Sequence, residues 1–183
     1  MPIYDALYEE RENIRHILVR HEQGAIHAAE GYARTKNIPG VCFATSGPGA
    51  TNLITGLLDA LMDSVPLVCI TGQVSSKFLG LDAFQEADVM GAALPVTKWC
   101  IQVTKAAQIE AAIDRAFQVA MSGRPGPVVV DITKDAQFEK ASFDRSKTAP
   151  VPATMVAATK APSISHMNAV EHSSNSVARS RPS

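Results

Sequence analysis

Three cysteines in 183 residues, Cys42, Cys69 and Cys100, are too few and too far apart for a disulfide framework or a zinc site. Each lies in an apolar, strand-like run, so they are expected to be buried free thiols acting as small hydrophobes. Charge of one sign is also lacking. With 17 basic and 18 acidic residues mixed along the chain, no basic stripe is available for a nucleic-acid backbone, and nucleic acid is excluded as a partner. No run approaches the about 20 uninterrupted apolar residues of a membrane helix. The start Met1-Pro2-Ile3-Tyr4-Asp5 lacks the basic end and apolar middle of a signal peptide. These absences describe a cytoplasmic protein with no membrane contact.

What is present is 46% apolar residues, enough for one domain with a sizeable core. Short runs rich in β-branched residues alternate with segments of helical period, the pattern of parallel βαβ units. Strands are predicted at Ile14–Val19, Gly40–Thr45, Pro66–Thr71, Trp99–Val103 and Pro127–Ile132. Their near-continuous apolar character predicts an α/β fold, a parallel sheet with helices on both faces. The helix after Glu22 would turn Ala25, Ala28, Ala29 and Ala33 to the sheet. The next would bury a stripe of Leu53, Ile54, Leu57, Leu58 and Leu61, with Asp59 and Asp63 towards the other side. A third, from about Lys105 to Met121, would bury Ile109, Ala112, Ile113, Ala116, Phe117 and Ala120, with Thr104 as its N-cap and Gly123 and Pro125 stopping it. After about Phe138 the periodicity ends and the chain turns to Ser, Ala, Thr and Pro, without glycine or leucine. Residues 1–137 are therefore predicted to form the domain, and 138–183 a disordered linker or tail.

The candidate chemistry starts at His21-Glu22-Gln23-Gly24-Ala25, where an apolar run enters an alanine-rich helix. A lone carboxylate at a βα junction lies at the sheet edge where ligands bind. Held in a partly dry crevice, it would keep a proton near neutral pH and trade it with a ring nitrogen. Otherwise Glu22 merely offers charge to a helix N-terminus. His21 reads as an orienting or packing residue, and His16, His27, His166 and His172 show no metal-ligand spacing. The turn Thr45-Ser46-Gly47-Pro48-Gly49-Ala50-Thr51-Asn52 lacks the Gly-Lys-Ser/Thr ending of a nucleotide loop and the spacing of a dinucleotide fingerprint. Gly47 and Gly49 would let the backbone approach a flat ring. An ordinary tight turn, with Asn52 near a helix start, is the alternative.

These two motifs, with Ala28-Ala29-Glu30-Gly31-Tyr32-Ala33-Arg34 between them and Ile70-Thr71-Gly72-Gln73 after them, occur in the order found in thiamine-diphosphate enzymes. The chain resembles their N-terminal pyrimidine-binding domain over roughly Met1 to Gln137. Gly80-Leu81-Asp82-Ala83-Phe84-Gln85-Glu86 and Thr97-Lys98 are most similar to the acetolactate synthase large subunit. Two positions depart from the family pattern: Leu81 stands where threonine is usual, and Trp99 where histidine is usual.

The resemblance implies that Glu22 hydrogen-bonds N1′ of the cofactor's aminopyrimidine and exchanges a proton with it, which requires a raised pKa. It implies that Gly47, Pro48, Gly49 and Asn52 border that ring, and that Phe84 and Gln85 line the substrate channel. It further implies condensation of two pyruvates, or of pyruvate with 2-ketobutyrate, with loss of CO2, in branched-chain amino-acid biosynthesis. Mg2+ and FAD would be held mainly by domains absent here, in a homo-oligomer. The family's first strand, expected inside the sheet, would precede Met1, and the stretch from about Ser163 is unlike the family. The chain is thus expected to be a fragment, inactive alone. A non-catalytic module docking on a complete large subunit, and a piece of another carboligase or decarboxylase, remain alternatives.

Overall fold

The computed structural model describes residues 2–142. Helix α1 (Pro2–Glu9) and α2 (Glu22–Lys36) precede strand β1 (Gly40–Ala44). Helices α3 (Pro48–Thr51) and α4 (Ile54–Met62) lead to β2 (Leu67–Gln73), and α5 (Val89–Ala93) to β3 (Trp99–Val103). Helix α6 (Ile109–Met121), β4 (Pro127–Thr133) and α7 (Lys134–Phe138) complete the described part. The four strands are all parallel, in the order β1-β2-β4-β3.

Alternation along these strands builds two cores. Cys42, Ala44, Leu67, Cys69 and Val129 face one side, under α2, α4 and α5. Val68, Ile70, Val128, Val130 and Ile132 face the other, against Ala112, Ala116 and Ala120 of α6. Both faces are covered, so the central strands β2 and β4 are buried at every residue and read as apolar runs. Each fully buried valine contributes roughly 1.5–3 kcal/mol. All three cysteines are free thiols; Cys42 and Cys69 are buried partners in register, and Cys100 is half-buried.

Close approach of α2 depends on small residues. A Cβ at Gly40 would lie 2.2 Å from the Ala29 carbonyl oxygen, and one at Gly56 2.4 Å from Ile26 Cγ2. The first glycine lets α2 settle on β1, and the second lets α4 settle on α2.

Four predicted strands form within a residue or two of their expected ends; Ile14–Val19 does not. Residues 14–19 carry no strand structure and are mostly exposed, Leu18 to 85%. A strand needs a hydrogen-bonded neighbour. Among the described residues β1 pairs only with β2, and its other edge does not take up this segment. The stripes also need correction. Ala28, Leu58 and Phe117 are exposed, because each lies at the margin of its helix's buried arc. Thr104 does not cap α6, which begins after a 3-10 turn, Ala106–Gln108, with Gln108 at its N-cap position. The backbone N–H of Ala106 is instead met by Glu139 Oε2 at 2.9 Å, a partner 33 residues away. The expected disorder of the tail falls, beyond residue 142, outside the described residues, as do His166 and His172.

Candidate functional site

Glu22 opens α2 because His21 caps it. The His21 backbone is extended and its Nδ1 accepts the Gln23 N–H at 3.1 Å, ending the preceding chain and starting the helix. His21 therefore acts as the helix cap through its side chain. The turn after β1 then comes to meet the carboxylate. Asn52 Nδ2 donates to Glu22 Oε2 at 3.0 Å, and a Cβ on Gly49 would stand 3.4 Å from Glu22 Oε1 and 2.7 Å from Thr45 Cγ2. Glu22, Gly49 and Asn52, separated by up to 30 residues in sequence, thus form one cluster at the carboxyl end of β1.

Glu22 is half-buried, and among the described residues no lysine or arginine forms an ion pair with it. Its pKa does not follow expectation. The Asn52 hydrogen bond and Glu22's own backbone N–H hold the carboxyl below its ordinary value, with His21 adding a smaller electrostatic pull, while burial acts in the opposite direction and is outweighed. The two donors favour the ionised form more than burial alone would.

Gly47 and Pro48 form the start of the turn. Gly47 has φ 60° and ψ −118°, a combination that favours glycine, and Pro48 occupies the first position of α3, where no N–H is needed. A Cβ on Gly47 would come 2.6 Å from the carbonyl oxygen of Gln85. The loop 80–86 is therefore seated directly on the glycine turn. Phe84 at its tip is 88% exposed and Gln85 is exposed with φ 59°. Neither side chain is enclosed, but their backbone is brought to the Glu22 end of the sheet.

Several residues that sequence reasoning passed over hold this arrangement. Glu86 accepts from the backbone N–H groups of Gly80 and Ala83, the latter at 2.9 Å, and closes loop 80–86 on itself; those amides lower its pKa. Gln73 Nε2 bridges the Ala87 carbonyl at 3.0 Å and Asp131 Oδ2 at 3.2 Å, tying the loop's end to the sheet. Asp131, fully buried, also accepts from Thr71 at 2.6 Å and Gln102 at 3.0 Å, and burial raises its pKa despite those donors. A polar residue inside an apolar strand run is the signal that could have found it. Lys98 is not near the turn: its Nζ donates to the Val119 and Ser122 carbonyls at 2.5 and 2.6 Å, capping the C-terminus of α6. His27, unmarked by histidine spacing, lies 2.9 Å from Glu30 Oε2, and Asp59 is close by.

At the carboxyl end of β1, a glycine turn that carries no side chain at Gly47 or Gly49 thus stands beside the Glu22 carboxylate. The family described as thiamine pyrophosphate enzyme, N-terminal TPP binding domain, matches residues 1–92, and the chain belongs to it. It is 57% identical over 143 residues to the acetolactate synthase large subunit of Corynebacterium glutamicum, covering 78% of this chain and 23% of that protein. The identity to the acetolactate synthase isozyme 2 large subunit of Escherichia coli is also 57%, over 144 residues, covering 79% and 26%. For the acetolactate synthase large subunit of Cyanidium caldarium it is 52% over 145 residues, covering 78% and 25%. The chain spans about a quarter of the length of these relatives. Among the described residues no helix is long and apolar enough to cross a membrane.

Proposed function

We propose that this chain is the pyrimidine-binding part of an acetolactate synthase large subunit, acting on pyruvate with a second pyruvate or 2-ketobutyrate. The observation that carries the reading is the Glu22–Asn52–Gly49 cluster, in which one carboxylate oxygen is held by an amide and the other faces a wall that a single Cβ would fill. Those residues fit the aminopyrimidine of thiamine diphosphate. The bound cofactor supplies a carbanion-stabilising centre for decarboxylation and carbon–carbon bond formation.

The chain's own residues orient and move a proton. Asn52 fixes Glu22 Oε2, and Oε1 would be the atom that exchanges a proton with a nitrogen of the bound ring. Gly47 and Gly49 remove the side chains that would hold the ring off, and Pro48 stiffens the turn between them. Phe84 and Gln85, carried on the loop seated against Gly47, border the approach of the keto acid. The exposure of Phe84, with Leu81 and Leu94 also exposed, suits a face covered by a second large-subunit chain. That supports both a homo-oligomer and docking on a complete subunit. Mg2+ and FAD find no assigned ligands in this reading and would be held elsewhere in the assembly.

The test is a chimera in which residues 1–137 replace the matching part of the Escherichia coli large subunit. Acetolactate formation in the chimera, and its loss by about 10²–10⁴-fold on Glu22→Gln, is the expected result. A folded chimera whose Glu22→Gln variant turns over at the parent rate overturns the assignment.

A further inference from the structure

A second cluster lies away from the glycine turn, on the seam between α2 and α4. His27 and Glu30 are three residues apart on α2 and share a face. Asp59 projects from α4, brought close because Gly56 presents no Cβ to Ile26. One ligand atom from each of the three lies within 4.8 Å of the others, and His27 Nδ1 is 2.9 Å from Glu30 Oε2.

Glu30 is the unusual member. Its side chain is only 6% exposed, and its buried Oε1 has no hydrogen-bond partner. Asp59 faces it closely enough for the two carboxyls to share one hydrogen bond when either is protonated, but when both are ionised neither has a proton to share. The next turn of the same two helices behaves differently. Arg34, four residues after Glu30, meets Asp63, four residues after Asp59, at 2.5 Å. One turn of the seam is therefore closed by opposite charges, while the turn before it sets two acids and a histidine together. The Arg34 guanidinium is near enough to feel Glu30 and Asp59, but it is hydrogen-bonded to Asp63. An unpaired buried carboxylate oxygen costs free energy that a bound cation would offset.

We propose that His27, Glu30 and Asp59 bind one divalent transition-metal ion of the Zn2+ type, stapling α2 to α4. An imidazole with two carboxylates is a donor set suited to such an ion rather than to Ca2+ or Mg2+, which prefer all-oxygen shells. The exposed His27 and Asp59 can each turn towards the buried Glu30 oxygen, giving three protein ligands and a solvent-facing open position. Because α2 starts at Glu22 and α4 begins two residues after Asn52, the ion would also hold together the helices on which the Glu22–Asn52 pair borders.

The experiment uses the full 183-residue chain, freed of metal with a chelator and titrated with ZnCl2 by calorimetry and with CoCl2 by absorption. One ion per chain is expected, with a rise in melting temperature and a Co2+ spectrum lacking the sulfur-to-metal charge-transfer band of thiolate ligation. His27→Gln and Asp59→Asn, both at exposed positions and checked for folding by circular dichroism, should each weaken Zn2+ at least by the roughly 10–100-fold that loss of even an outer-shell partner costs. Cys100→Ser should leave it unchanged. Absence of Zn2+ binding, a thiolate band, or unchanged affinity in both folded variants would overturn the site.

Discussion

Replacing Gly47 with alanine should cost stability and function together, whereas the same replacement at Gly31 should gain stability. Gly47 sits at φ 60° and ψ −118°, and a non-glycine residue held in such a region costs about 1–3 kcal/mol. The new methyl would also stand 2.6 Å from the Gln85 carbonyl oxygen, so the turn and the loop must part by at least 0.4 Å to reach the 3.0 Å below which such contacts essentially do not occur. The obstacle is backbone, which cannot rotate away as a side-chain end would. Together these terms give a loss of about 2–4 kcal/mol, or on the order of 6–16 °C in melting temperature for a domain of this size. Gly31 lies in the middle of α2, where a Cβ meets nothing within 4 Å, and alanine there should gain about 0.5–1 kcal/mol. Thermal unfolding followed by circular dichroism measures both. Fluorine NMR of fluorophenylalanine at position 84 then reports whether loop 80–86 has shifted. In the chimeric enzyme, displacement of Phe84 and Gln85 by even part of an ångström should lower acetolactate formation, towards the roughly 10²-fold that a 1 Å misplacement costs. Equal melting temperatures for the Gly47→Ala variant and the parent, or an unmoved fluorine signal, would refute the claim that this glycine seats the loop.

Three further outcomes follow from the polar contacts. Asn52→Ala should raise the titration midpoint of Glu22 and cost about 1 kcal/mol, the low end for a charge-assisted hydrogen bond because the pair is half-buried. Since the folded carboxyl is held below its unfolded value of 4.5, that cost should be full above pH 4.5 and vanish as pH falls through the folded midpoint; carbon-detected NMR and denaturation across pH measure it, and a pH-independent difference would contradict the assignment. Asp131 has the opposite sign: burial raises its pKa above 3.8, so its contribution is complete below that pH and is lost as pH rises through the folded midpoint. The parent should therefore lose stability relative to Asp131→Asn over that window, in denaturant titrations at several pH values, and a parallel pair of curves would argue against it. Cys69, whose thiol is raised well above its ordinary pKa by the neighbouring Cys42 and by burial, should resist thiol reagents at pH 8 until the chain is unfolded, which a timed labelling reaction shows.

The sheet was legible because its signals are local. The two central strands, buried on both faces, must be largely apolar, and that is visible in Leu67–Gln73 and Pro127–Thr133 without reference to any other part of the chain. The segment at 14–19 carries the same local signal and fails, because a strand also needs an edge to join, and pairing is not written in the strand itself. The cap of the helical region after β3 shows the same limit: Thr104 has the right chemistry at nearly the right place, yet Glu139 supplies the acceptor from the far side of β4. Glu22, Gly47, Gly49 and Asn52 were recognisable as two motifs. Their convergence, with Asn52 holding the carboxylate, is a tertiary fact that only the geometry gives.

The low pKa of Glu22 and the exposure of Phe84 are two sides of one arrangement. In the described chain the donors Asn52 and the helix amide outweigh burial, and the aromatic at the rim has almost no cover. Loop 80–86 rests on Gly47, whose turn also carries Gly49 beside Glu22, so a surface that covered this rim and reached the carboxylate would desolvate it, which shifts a carboxyl upward, against the pull of Asn52. Under the proposed function, the proton-holding form would then arise only when that rim is covered, with the hydrogen bond from Asn52 setting the carboxyl's orientation beforehand. On this argument the Asn52→Ala substitution should alter the pH profile of the chimeric enzyme more than its affinity for pyruvate, whereas removing Phe84 should change the response to keto acid concentration. A chimera in which both changes act only on pyruvate affinity would break the link between covering the rim and tuning the acid.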